Sequence, residues 1–159
     1  MPSPAVDRAM ELARIDLSPR HRPPNLAAVA IATVASLVLC LLADWLLAKL
    51  AVAVFPADKG YVHFQFSDYA KLTVIGVLIA CAAWPVVTRI SSAPRWLFLR
   101  LAIAVTLVLW LPDLWILHLG QPVQAVVVLM LMHLAIAVVT YNCLVHIAAV
   151  RSNRRSHPR

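Results

Sequence analysis

The stretch VQAVVVLMLMHLAIAVVTYNCLVHIAAV, from Val123 to Val150, contains no Asp, Glu, Lys or Arg. A membrane-spanning helix needs about 20 consecutive, mostly apolar residues, so this stretch is long enough to cross a bilayer with some tilt or overhang. Three similar runs precede it, at residues 26–45, 69–88 and 96–119. The chain of 159 residues is 62% hydrophobic and 13% charged, whereas a soluble domain is about half apolar and a quarter charged. The sequence therefore predicts an all-α, integral membrane four-helix bundle.

The connections between the runs contain residues that end or turn helices. Gly120 to Pro122 predicts a tight turn, because Gly accepts a positive φ and Pro fits the first turn of a helix. Spans three and four should therefore form an antiparallel hairpin. Small residues recur at four-residue intervals in span one and, as Gly76 and Ala80, in span two. Such stripes let helices approach closely, so we expect spans one and two to pack together.

The only sizeable loop, Phe55 to Asp68, joins spans one and two. Val62, Phe64 and Phe66 alternate with more polar residues in this loop, which is the periodicity of a β-strand. A single short strand has no obvious neighbour with which to pair. We therefore expect an extended segment that lies across the helix ends with its aromatic side towards them.

Positive charge is distributed asymmetrically about the four runs. The arginines fall in the two tails and around the connection between spans two and three, at positions 8, 14, 20, 22, 89, 95, 100, 151, 154, 155 and 159. The opposite side carries only Lys49, Lys59 and Lys71. The positive-inside rule then places both termini in the cytoplasm and the long loop outside. Span one has a basic lead-in like a signal peptide, but its apolar run exceeds the usual length of about 7–15 residues, so we expect an uncleaved helix.

The sequence divides into a membrane domain and two tails. Residues 1–24 form a cytoplasmic tail, residues 25–150 the four-span domain and residues 151–159 a basic cytoplasmic tail. Ser3-Pro4 is a suitable start for a short amphipathic helix, with Val6 and Met10 on its apolar side. A disordered N-terminal tail is the alternative.

Ionisable side chains within a membrane are costly and are candidates for function. Asp44 lies at the end of span one, Asp68 and Lys71 at the start of span two, and Asp113 and His118 near the end of span three. At 1.5 Å per residue, Asp113 lies roughly 10 Å below the outer end of its span. All five residues thus belong to the outer third of the predicted bundle.

Two interpretations of this group remain open. As a functional site, it is a polar pocket that opens outward and binds a cation, a proton or a small polar head group. Together with His63 in the loop it offers metal ligands, but at scattered spacing, so no metal site is predicted. As a structural feature, Asp44 or Asp113 pairs with Lys71 or a histidine and fixes the helix register. Pro112 should kink span three beside the carboxylate, because it cannot donate to the carbonyl one turn earlier.

His133 lies deeper, about ten residues into span four and near the membrane midplane. His146 is about 20 Å further along the helix axis and about 140° around it, so the two histidines cannot hold haems on one face. Spans one to three contain no histidine at mid-depth, and we expect His133 to form a hydrogen bond across the bundle. Cys40, Cys81 and Cys143 lie at different predicted depths and form no CxxC motif. The sequence therefore predicts neither a disulfide nor a cofactor.

The chain contains no nucleophile elbow, P-loop or HExxH motif. We therefore favour a non-enzymatic accessory or scaffold subunit of a membrane complex. The alternatives are a small oligomeric transporter or channel that uses Asp113 and His133, and a membrane enzyme acting on a lipid or isoprenoid.

The expected partners follow from where the charge lies. The net charge is +7, but the basic residues flank apolar runs, which indicates contact with the lipid bilayer and not with nucleic acid. We also expect a membrane-protein partner or a homo-oligomer. The Ala-, Val-, Leu- and Arg-rich, Lys-poor composition is typical of a GC-rich bacterial genome, which predicts an inner-membrane location.

Overall fold

The computed structural model describes residues 4–12, 21–22 and 24–152. Within these residues the helices are α1 (Pro4–Leu12), α2 (Leu26–Val54), α3 (Phe66–Ile90), α4 (Pro94–His118) and α5 (Val123–Ile147). Two-residue strands, β1 (His21–Arg22) and β2 (Arg151–Ser152), pair antiparallel where the chain enters and leaves the bundle.

Four of the helices in the described residues, α2 to α5, are long and apolar enough to cross a membrane. Their exposed faces are dominated by Leu, Val and Ile side chains. Contiguous apolar surface of this extent is rare on soluble monomers and is the surface that lipid covers. The prediction of an all-α four-helix membrane bundle is confirmed.

Helix α2 is longer than the sequence predicts. It begins at Leu26 as expected, where the Asn25 side chain accepts a hydrogen bond from the Ala27 amide at 3.1 Å. It does not end at residue 45 but continues to Val54. The residues after Asp44 are mostly Leu and Ala, which are strong helix formers, so one carboxylate does not end the helix. Asp44 is therefore an interior residue of α2, and its predicted place at the helix end is wrong.

Helix α5 packs against all three other spanning helices, and most extensively against α2. The buried face of α2 repeats every three or four residues and consists of Ala32, Ser36, Cys40, Asp44, Ala48 and Ala51. These side chains are small, so the two helix backbones can approach closely. The predicted stripe in α3 behaves differently: Gly76 is exposed, and a Cβ atom there would meet nothing within 4 Å. Gly76 therefore does not seal α2 against α3.

Helices α4 and α5 form the antiparallel hairpin that the sequence predicts. Gly120 has φ +87° between them, and its amide donates to the Leu117 carbonyl at 3.0 Å. Helix α4 continues through Pro112 without interruption.

The loop between α2 and α3 is not extended, and the strand prediction is wrong. It forms two 3-10 turns, Pro56–Asp58 and Val62–Phe64, and α3 begins at Phe66. Of the three alternating apolar residues only Phe64 packs against the core, next to Tyr69 and Ala48, while Val62 and Phe66 are exposed. The turns place Phe64 against the core at the helix ends. Unlike a strand, they need no neighbouring strand with which to pair.

The two ends of the bundle differ in composition. We call the end with the α2–α3 loop and the α4–α5 turn the loop end, and the opposite end the arginine end. At the arginine end, the fully buried Trp84 donates from Nε1 to the Ala148 carbonyl at 2.9 Å. Its ring lies 5.1 Å from that of Phe98, which stacks on Tyr141 at 6.1 Å. These rings and their apolar neighbours close the arginine end of the core.

Candidate functional site

Asp44 is fully buried on the face of α2 that meets the other helices. The Thr73 hydroxyl of α3 donates to Asp44 Oδ2 at 2.6 Å. The second oxygen, Oδ1, is also buried and has no hydrogen-bond partner among the described residues. A polar atom in that situation costs roughly 1–3 kcal/mol unless something binds it.

Asp113 and His133 approach each other between α4 and α5. His133 Nδ1 lies 3.1 Å from Asp113 Oδ2 and 3.0 Å from the Leu129 carbonyl oxygen. The Nδ1 hydrogen can point at only one acceptor, and the geometry of a hydrogen bond is satisfied towards Leu129. The contact with Asp113 is therefore an ionic one when the imidazole is protonated. The Asp113 side chain is 8% exposed and that of His133 is 24% exposed.

The two pairs lie close enough to form one site. Asp44 and His133 interact electrostatically. Each lies ten residues from the loop end of its helix, which is a depth of about 15 Å. Because α2, α3, α4 and α5 each contribute one side chain, the site forms only when all four helices pack. We call Asp44, Thr73, Asp113 and His133 the core cluster.

Three polar residues lie above the core cluster at the loop end, and we call them the cap: Asp58, Tyr61 and Gln124. Asp58, only 5% exposed, accepts a hydrogen bond from Gln124 Nε2 at 3.4 Å. Tyr61 follows in the same loop. In residues 24–152, neither Asp58 Oδ2 nor the buried Tyr61 hydroxyl has a hydrogen-bond partner. Burial raises the pKa of Tyr61, and the nearby carboxylates of Asp113 and Asp58 raise it further. The Tyr61 phenol is thus within electrostatic range of both the loop carboxylate and the core cluster.

Below the core cluster the polar contacts between helices become weaker. Cys40 Sγ lies 3.5 Å from Thr140 Oγ1 and 3.8 Å from the Ile136 carbonyl. One turn further towards the arginine end, the buried Ser36 hydroxyl has no hydrogen-bond partner within the part of the chain that is described. Beyond Ser36 the core is mainly apolar and aromatic, and the buried Thr88 hydroxyl there donates to the Pro85 carbonyl of its own helix at 2.8 Å. The buried ionisable groups are therefore concentrated towards the loop end, and apolar and aromatic packing dominates towards the arginine end.

Three of the six candidate residues predicted from the sequence come together, namely Asp44, Asp113 and His133. The other three do not join them. Asp68 forms a 2.7 Å hydrogen bond with His63, and both side chains are more than 40% exposed.

Lys71 and His118 are exposed as well. His118 lies against the Trp115 ring, with ring centroids 6.0 Å apart. No ion pair links Lys71 to Asp44 or Asp113 in the described residues, so Lys71 is not the counter-charge that the sequence suggested. The basic side chain near these carboxylates is His133.

Thr73, Asp58 and Tyr61 were missed as candidates. A lone Thr in an apolar run carries no signal of its own, because Thr is ordinary in membrane helices. Asp58 and Tyr61 lie in a loop, where polar residues are normally solvated. Only the folding of that loop into 3-10 turns buries them against α5.

No group of three or more His, Cys, Asp or Glu side chains in the described residues is close enough to hold a metal ion. Cys40, Cys81 and Cys143 are buried and free. The chemistry of the core cluster is therefore that of two carboxylates and one imidazole, groups that take up and release protons.

The family of unknown function DUF6069 matches residues 17–150, a range that contains all four spanning helices, the core cluster and the cap. The chain belongs to this family. No curated protein and no protein of solved structure matches the chain.

Proposed function

We propose that this protein is a small, non-enzymatic, multi-pass protein of the bacterial inner membrane that binds a proton at the core cluster. In this proposal it acts as an accessory subunit whose contact with a membrane complex responds to that proton. The observation that carries it is the convergence of Asp44, Asp113 and His133 from three different helices in the interior of the bundle, five to ten residues from the loop ends of those helices.

The argument rests on charge balance in a medium that does not solvate ions. Two ionised carboxylates beside one imidazolium leave one negative charge without compensation. Such a charge costs several kcal/mol in the interior of a protein or membrane. One additional proton on the cluster neutralises that negative charge, so proton binding at the site is favoured.

The groups that face the cluster come from every element packed around it. Besides the members of the cluster itself, they are Cys40 from α2, Tyr69 from α3, Thr140 from α5, and Asp58 and Tyr61 from the loop. None of these is a cation. The balance of charge therefore depends on His133 and on the bound proton.

The cap indicates the side from which the proton arrives. Asp58 and Tyr61 connect the core cluster to the loop end, while the aromatic core closes the arginine end. By the positive-inside rule the arginine end faces the cytoplasm. In this orientation the site samples the pH outside the inner membrane.

Carbodiimide labelling tests the proton site directly. A hydrophobic carbodiimide adds to a protonated carboxyl group in a membrane, and peptide mass spectrometry locates the adduct. Labelling of Asp44 or Asp113 should increase as the pH falls. Asp44→Asn and Asp113→Asn should each remove the adduct at the mutated position, whereas Asp68→Asn, at an exposed carboxylate, should change neither core adduct. Absence of label from both core carboxylates at every pH at which the protein remains folded would refute the proposal.

A second candidate, a proton transporter or channel, is favoured by the polar contacts that continue below the cluster, from Cys40 and Thr140 to Ser36. Proton flux into proteoliposomes, followed with a trapped pH-sensitive dye, separates the two functions. A site that only binds protons gives the flux of empty liposomes. Flux that Asp113→Asn abolishes, and Asp68→Asn does not, would establish transport instead.

Native mass spectrometry of the gently solubilised protein from its own host tests the subunit role. A second polypeptide in fixed ratio is the expected result. A protein that travels alone or as a homo-oligomer would contradict it, without bearing on the proton site.

A further inference from the structure

A groove of about 350 Å³ opens on the lipid-facing side of α2 at the loop end. One of its walls is a single face of α2, since Trp45, Lys49 and Val52 are spaced three or four residues apart. Two small residues of the same helix, Ala48 and Ala53, also line the groove and leave room in it.

The second wall is aromatic. It is formed by Phe64, Phe66 and Tyr69, at the end of the loop and the start of α3. The rings of Phe66 and Tyr69 meet edge to face with centroids 5.5 Å apart. Phe64 packs on the core beside Tyr69. These three rings lie opposite the alanine-containing face of α2. The slot between them suits flat or chain-like apolar groups, and Trp45 also lines it.

Lys49 is the charged residue of the groove, and its depth matches that of a lipid phosphate. Helix α2 has 29 residues and is about 43 Å long, so it exceeds a hydrocarbon core of about 30 Å by roughly 6 Å at each end. Lys49 lies five residues before Val54, about 7–8 Å from the helix end. Its Cα atom is therefore near the boundary between acyl chains and head groups.

Among the described residues, Lys49 has no counter-charge. Its side chain is exposed, and no ion pair involves it in the described part of the chain. A lysine on a membrane helix at this depth extends towards the head groups and binds an anion there. The adjacent groove is apolar and aromatic, so the anion best suited to the whole site carries a hydrocarbon chain.

We infer that the groove between α2 and the start of α3 binds one anionic phospholipid, with its phosphate on Lys49 and an acyl chain in the slot beside Trp45. The proposal is independent of the proton site. Zwitterionic lipids fit the same slot, but their ammonium group offsets the attraction of the phosphate for Lys49.

The test is lipid binding by the full-length protein in nanodiscs that contain phosphatidylglycerol and phosphatidylcholine. Native mass spectrometry after detergent transfer should find one phosphatidylglycerol retained in preference to phosphatidylcholine. Lys49→Gln should lower the affinity for phosphatidylglycerol about fivefold, the contribution of one lysine at an anionic surface. Lys49→Arg should restore most of it.

Lys71→Gln is the matched control. Lys71 is exposed and lies in the loop-end half of α3, so it carries the same charge in the same half of the bundle but does not line the groove. Brominated phosphatidylglycerol provides a second measurement, because it should quench the fluorescence of Trp45 less in Lys49→Gln than in Lys71→Gln. Equal retention of the two lipids by the wild-type protein, or equal effects of Lys49→Gln and Lys71→Gln, would overturn the inference.

Discussion

Asp113 and His133 stabilise each other in a setting where neither charge has water to solvate it. Because the Nδ1 hydrogen is directed at the Leu129 carbonyl, the Asp113 carboxylate is held near the imidazole by charge and by the packing of α4 on α5. His133 is therefore held in a fixed position beside Asp113, but it attracts the carboxylate only when its imidazole is protonated. This makes the pair sensitive to loss of either member.

His133→Leu should destabilise the protein by about 3 kcal/mol, because it leaves a buried carboxylate without its cation. The double variant His133→Leu with Asp113→Leu should recover most of that loss, since two apolar side chains need no compensating charge. Unfolding by SDS in mixed micelles, followed by tryptophan fluorescence, measures both values. His118→Leu is the control at an exposed histidine and should have little effect. Equal destabilisation in the single and double variants would mean that the ionic contact contributes nothing.

Tyr61 reports the charge of the core cluster from outside the membrane-spanning segments. Its pKa is raised by burial and by the carboxylates of Asp113 and Asp58, so it should titrate above the ordinary tyrosine value of about 10. Its contribution to stability is therefore present below about pH 10 and is lost as the pH rises through the folded pKa. Asp113→Asn removes one like charge and should lower that pKa.

The Tyr61 titration is followed by the ultraviolet absorbance of the phenolate, and the spectrum of Tyr61→Phe isolates its signal from those of Tyr69 and Tyr141. Asp68→Asn should leave the curve unchanged. A curve that Asp113→Asn also leaves unchanged would place Tyr61 outside the electrostatic reach of the cluster.

At the scale of elements, the α4–α5 turn depends on one backbone conformation. Gly120 adopts φ +87° with open space around its missing Cβ, so Gly120→Ala introduces backbone strain without a steric clash. We expect a loss of about 1 kcal/mol in the free energy of unfolding. Gly76→Ala is the matched control: Gly76 is helical and also has open space around it, so the change should be neutral or stabilise by less than about 1 kcal/mol. The same unfolding assay measures both, and equal effects would show that the turn tolerates alanine.

The start of each spanning helix was predictable within a few residues, because apolar runs and turn residues are local signals. The end of α2 was not, since Asp44 and Lys49 resemble boundary residues until their positions in the bundle are known. Asp44 can remain inside the helix because Thr73 donates a hydrogen bond to it and His133 is within electrostatic range, and both belong to other helices. The same limit applies to the site: the sequence identified Asp44, Asp113 and His133 as costly residues, but the depth at which α2, α4 and α5 align is fixed by packing alone. Nothing in the sequence indicated that Asp58 and Tyr61 are buried. Their burial follows from the 3-10 turns of the loop, whereas the alternation of Val62, Phe64 and Phe66 indicated a strand.

At the scale of the whole molecule, the two halves of the bundle differ in composition. The loop-end half contains the ionisable side chains, the cap and the groove beside Lys49. The arginine-end half contains the aromatic core around Trp84 and basic residues such as Arg89 and Arg95. Helices α3 and α5 each pack against all the other spanning helices. If the proposed proton site exists, a change in protonation at His133 therefore acts on an element that contacts the whole bundle, and the orientation of the bundle decides to which compartment the site is open.

That orientation is testable with two single-cysteine positions. Lys59→Cys lies in the exposed loop and Arg95→Cys near the start of α4, and the native cysteines are buried, so they should react slowly. A membrane-impermeant maleimide added to intact spheroplasts should modify Cys at position 59 and not at position 95, because the positive-inside rule places the arginine end in the cytoplasm. After permeabilisation both positions should react, which controls for intrinsic reactivity. Modification at position 95 alone in intact spheroplasts would invert the bundle, and the core cluster would then communicate with the cytoplasm through Asp58 and Tyr61.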